Sequence, residues 1–139
     1  MPMPMEYRQA SRDFDAFMED LRDTSMLQTT HQCYTMLQGV FQVFRRRLTT
    51  KQALAFADTL PPVLRALFVS DWDVEEPRLP FGTFAEMTRE VKALRPDHNF
   101  STDTALSDVA AVMRRHIDLT AFEAVLAELP PGAKQFWTA

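Results

Sequence analysis

Thr35-Met36-Leu37-Gln38-Gly39-Val40 is followed by Arg45-Arg46 and then by Leu60-Pro61-Pro62, and this succession returns further along the chain. The second copy reads Thr104-Ala105-Leu106-Ser107-Asp108-Val109, then Arg114-Arg115, then Leu129-Pro130-Pro131. Corresponding residues stand 69 positions apart, and Val43 with Val112 and Ala55 with Ala124 keep the same register. A gapless repeat of this length points to a duplicated supersecondary unit. It decides the architecture and reveals no chemistry.

Working outward, each copy shows helical spacing. Phe14, Phe17, Met18 and Leu21 stand at i, i+3, i+4 and i+7, one face of a helix with Ser11 as its cap. Cys33, Leu37, Val40, Phe41, Phe44 and Leu48 form the stripe of the longest helix. Thr49 with Gln52 reads as a capping box, and Ala53, Phe56, Ala57 and Leu60 are the buried face that follows. Pro61-Pro62 stops that helix and suits the first turn of the next, which carries Leu64, Leu67 and Phe68. The cycle then recurs. Phe81 and Phe84 stand in for Phe14 and Phe17 at an offset of 67, and Ser101 or Thr102 starts the second long helix. Asp118 takes the capping place of Thr49, and Pro130-Pro131 restarts a short helix with Phe136 and Trp137. The pattern predicts an all-α fold of two tandem four-helix repeats in one compact domain. Its helices span 11–23, 30–48, 50–60 and 62–69, then 81–94, 102–117, 119–129 and 131–137. The repeats cover 11–72 and 78–139, with an acidic connector between them and a loose arm at 1–10.

The chain has 139 residues, 46% hydrophobic and 24% charged, with three glycines. That size suits one domain, able to bury roughly 70% of its unfolded surface. A net charge of −4 argues against general electrostatic binding of nucleic acid or of an anionic membrane. A single cysteine excludes an internal disulfide and suits a reducing compartment. Met1-Pro2-Met3-Pro4-Met5-Glu6 lacks the basic start and apolar core of a signal peptide, and no apolar run approaches the ~20 residues of a membrane helix. The expectation is a soluble cytoplasmic protein.

The run from Arg46-Arg47-Leu48-Thr49 through Leu60-Pro61-Pro62-Val63-Leu64-Arg65 to Trp72-Asp73 resembles the bacterial family catalogued as domain of unknown function 2267. Members share an arginine-leucine step, an alanine-rich helix, Leu-Pro, Leu-Arg and a tryptophan at the connector. The resemblance spans nearly the whole chain and implies an all-helical fold, with no activity and no catalytic residue. Members often carry glycine where this chain has Ala66 and Asp71, and aspartate tolerates a left-handed backbone less well than glycine.

Several groups invite a functional reading. Arg45-Arg46-Arg47 and Arg114-Arg115-His116 end the two long helices. They read as paired sites for phosphate or nucleic-acid backbone, or as cations answering the helix dipole. Their presence in both copies favours the second, because a structural repeat reproduces structural features. Trp72 has no counterpart, since Trp137 aligns with Phe68, so it is either a plug between the halves or an exposed partner anchor. Arg65 faces Lys134 in the alignment and is a further binding candidate. Asp71, Asp73, Glu75 and Glu76 fail as a calcium loop, with Glu76 where glycine is required and Phe81 where a bidentate glutamate is required. Cys33 on an apolar face reads as a buried inert thiol, and His31, His98 and His116 lack ligand spacing. No phosphate loop, nucleophile elbow or zinc signature occurs, so no catalytic residue, metal or cofactor is expected. The sequence therefore points to a non-enzymatic helical interaction or scaffold module. Self-association is one form of it, and Trp72, Trp137 or Tyr7 are its anchors. The alternatives are a nucleic-acid-binding or regulatory protein using Arg45, Arg46, Arg114 and Arg115, and a small-molecule sensor.

Overall fold

The computed structural model describes residues 3–94 and 101–138, and every regular element among them is a helix. Residues expected to form a loose arm include a helical turn, α1 (Met5–Arg8). Only Gln9 separates it from α2 (Ala10–Ser25). Ser11 is not the cap of α2. It lies inside the helix, because the Asp13 N–H donates to the carbonyl of Gln9. The face of Phe17, Met18 and Leu21 is buried as the spacing predicts.

α3 (Thr30–Arg45) opens on a capping box formed by Thr29 and Gln32. It packs against α2 and also against the helices Pro62–Val69, Phe84–Ala93 and Ala105–His116, so its residues are buried almost all round. It stops at Arg45, short of the predicted 48. The Arg47 and Leu48 N–H groups donate to Phe44 and Arg45, three residues back, and tighten the last turn. α4 (Thr50–Ala57) carries the capping box read from Thr49 and Gln52. α5 (Pro62–Val69) begins with its proline in the first turn, as Pro61-Pro62 requires.

The second half departs further from the prediction. α6 (Phe84–Ala93) starts three residues late, because the Thr83 side chain accepts from the Glu86 N–H and caps it. Phe81 therefore lies outside the helix, and Phe84 is 46% exposed, so this pair does not repeat the stripe of Phe14 and Phe17. α7 (Ala105–His116) also starts three residues late, with the Thr104 hydroxyl bonded to Asp108 at 2.8 Å. α8 (Leu119–Glu128) has the expected Asp118 cap. The final helix, α9 (Ala133–Phe136), is shortened by a turn at Gly132. There φ is 102°, and an added Cβ would lie 2.8 Å from Phe81, so only glycine fits. The loop expected at 96–100, with His98, lies outside the described residues.

The core centres on Trp137, which is fully buried. Its ring stacks on Phe56 at 5.6 Å and meets Phe41, Phe44, Phe122 and Phe136 at angles of 62° or more. Such offset and edge contacts add to the large area an indole removes from water. This burial rules out Trp137 as a surface anchor. The helices also cross over: α2 packs on α7 and α6 on α3. The first helix of each sequence half thus lies along the long helix of the other.

Candidate binding face at the connector

The arginines at the ends of α3 and α7 have internal partners. Arg45 is 4% exposed, and its Nη1 donates to the carbonyls of Phe68 and Ser70, each at 2.9 Å. Burial pulls its pKa below the ordinary arginine value, against the opposing pull of Glu76. A guanidinium stays charged in this setting, so it must be paired, and the carbonyls at the end of α5 serve. In the other half Arg114 Nε donates to the carbonyl of Trp137 at 2.9 Å, while its Nη1 pairs with Glu123. Both the arginines and the carbonyls stand 69 residues apart.

The next two positions repeat a second relationship. Glu90 on α6 accepts from Arg46 at 3.0 Å and from Arg47 at 2.7 Å. Asp20 on α2 accepts from Arg115 at 2.9 Å and lies 2.9 Å from His116 Nε2. Each carboxylate closes the basic helix end of the opposite half. Burial pushes the Glu90 pKa up, but the hydrogen bonds from Arg47 and Arg46 outweigh it and leave the carboxyl below its usual range. The hydrogen bond from Arg115 is the largest influence on Asp20, lowering it to about 2. Burial opposes that shift, and the His116 and Thr24 contacts add to it.

Arg65 is also occupied. Its Nη2 donates to the Leu60 carbonyl at 2.9 Å and its Nε to the Ala57 carbonyl at 3.4 Å, satisfying the end of α4. Its outer edge reaches Tyr7 and Glu6 of α1. Cys33 is fully buried 3.9 Å from the Ser25 hydroxyl, and burial pushes its thiol pKa up.

Of the six candidates, the fold brings three together. Trp72, Arg45 and Arg46 line one cavity of about 290 Å³, completed by Thr49, Glu76 and Arg78. It lies between the turn after α3, the start of α4 and the connector. The connector is pinned there by the Leu79 N–H, which donates to the Arg46 carbonyl at 3.0 Å. Trp72 forms no ring pair with Phe68 or Phe81. It lies half-buried with the Arg45 guanidinium 5.3 Å from its ring centre, a cation–π contact that fixes the indole at the cavity wall. The connector reaches this position through Asp71 in the left-handed region, with φ of 50°. Glycine, frequent there in the resembled family, would adopt that conformation freely. Arg65, Arg114 and Arg115 lie away from this cavity. Sequence reasoning passed over Arg78, Asp20 and Glu90. The two carboxylates adjoin the buried positions Leu21 and Val91, a signal that they sit at the rim of a packed face.

The chemistry at this face is that of an aromatic–cationic cleft on a helical domain. The chain belongs to the family described as uncharacterized conserved protein (DUF2267), whose sequence pattern it matches over residues 14–136. No curated protein matches it. No helix among the described residues is long and apolar enough to cross a membrane.

Proposed function

We propose that the chain is a non-enzymatic interaction module that uses the connector face around Trp72. The observation that carries this reading is the half-buried Trp72 ring, backed by Arg45 and beside Arg78 at an open cleft. Trp and Arg are enriched among the few residues that carry most of the binding energy at protein interfaces. We propose further that two copies of one four-helix unit build the domain, on the strength of the 69-residue register and of the arginine–carbonyl contact, Arg45 to Phe68 and Arg114 to Trp137, that obeys it. Its single buried cysteine suits a cytoplasmic setting. Nucleic-acid binding through Arg45, Arg46, Arg114 and Arg115 has less support, because these guanidinium groups are already engaged with carbonyls and carboxylates.

Analytical ultracentrifugation of the wild type and Trp72→Ala tests the self-associating form. The wild-type mass should rise above 16.0 kDa with concentration, and the variant should remain at that mass. If both stay monomeric, comparative capture of partners by the two proteins tests the heterologous form. An identical set bound by both would remove the connector face from the account.

A further inference from the structure

A second cavity, of about 230 Å³, lies away from the connector, between α2 and the start of α5. Its walls are Phe14, Phe17, Pro61, Val63 and Leu64, and its polar groups are His116 at the end of α7 and Asp13. An apolar cavity of about 150 Å³ is enough to hold benzene, so this one has room for a single substituted ring. His116 packs edge-on against Phe17, with ring centres 5.5 Å apart, and is 25% exposed.

The imidazole is oriented before any ligand arrives. Asp20 Oδ2 lies 2.9 Å from Nε2. An ionised carboxylate only accepts hydrogen bonds, so the neutral imidazole must carry its proton on Nε2. That leaves Nδ1 as an acceptor. Arg115 grips both oxygens of Asp20, Nε donating to Oδ2 and Nη2 to Oδ1, each at 2.9 Å, which keeps the pair in place. A neutral ring fits better than an aromatic acid, because Asp13 would face the acid's carboxylate across a small apolar space.

We propose that this cavity binds small neutral single-ring phenols, with the ring in the apolar walls and the hydroxyl donating to His116 Nδ1. The inference rests on groups separate from the Trp72 face, so either reading can fail without the other.

Phenol and toluene, which differ by a hydroxyl against a methyl, supply the test. Titrated into the full chain, phenol should bind about fivefold tighter than toluene, the preference one neutral hydrogen bond supplies. His116→Phe should bind the two equally. In the wild type, ¹⁵N spectra of the histidine ring should show the His116 Nδ1 resonance moving with phenol and remaining still with toluene. That readout stands even if the variant fails to fold. The proposal is overturned if the wild type binds neither compound, if it binds both alike, if His116→Phe keeps the preference, or if the Nδ1 resonance ignores phenol.

Discussion

Arg45 Nη1 stands 2.9 Å from the carbonyl oxygen of Phe68. Sixty-nine residues later, Arg114 Nε stands 2.9 Å from the carbonyl oxygen of Trp137. In both cases a cation from the end of a long helix completes the backbone of a short helix that would otherwise end on unmet acceptors.

Arg45→Ala should therefore cost about 3 kcal/mol in urea unfolding, because it strands the buried Phe68 carbonyl and the half-buried Ser70 carbonyl. Arg45→Lys should recover little, since a point ammonium lacks the planar fork. Arg114→Ala should cost less, about 1–2 kcal/mol, because its side chain is 24% exposed and water can replace part of the contact. Equal and negligible losses would mean that neither clamp supports the fold.

Among the described residues, the backbone stores strain at two non-glycine positions, Met26 and Asp71. Met26 has φ of 63° and is 88% exposed, so its side chain gives back little packing for a left-handed residue. Met26→Gly should stabilise the protein by about 1 kcal/mol, a rise in Tm of a few degrees. Asp71→Gly should give a smaller gain, because aspartate tolerates this region better than methionine. Thermal unfolding by circular dichroism measures both.

Acid should weaken the cross-half contacts in a defined window. The folded-state pKa of Asp20 is about 2 against an ordinary 3.8, so the unfolded chain binds the proton more readily. Its contribution is present above about pH 4 and is lost as the pH falls toward 2. Solvent screening limits this contribution to about 1 kcal/mol. The lowered Glu90 pKa acts in the same direction. Asp20→Asn should flatten the acid limb of a stability–pH curve measured with urea, and an unchanged limb would place the acid sensitivity elsewhere.

Local signals carried most of the fold. Thr49 and Gln52 lie three residues apart, and Pro61-Pro62 is a stop in the chain itself, so α4 and α5 were legible. The start of α6 was misplaced because Phe81 and Phe84 satisfy helical spacing, whereas the Thr83 cap decides where the helix begins. The candidate site was legible only in part. Trp72 and the arginine runs are conspicuous, but which of them share a cavity depends on the path of the connector. The partners of the arginines were hidden for a plainer reason. Asp20 lies 95 residues from Arg115 and Glu90 lies 43 from Arg47, far beyond any helical neighbour rule.

That exchange between halves is the centre of the account: the repeated arginines are closed by carboxylates from the opposite half and serve the fold. A double-mutant cycle on Arg47 and Glu90, the more buried of the pairs, tests it most directly. Urea unfolding of Arg47→Ala, Glu90→Ala and the double variant should give a coupling of about 1.5–3 kcal/mol, the range for a charged hydrogen bond. Additivity within about 0.5 kcal/mol would contradict the account and free these arginines for a ligand.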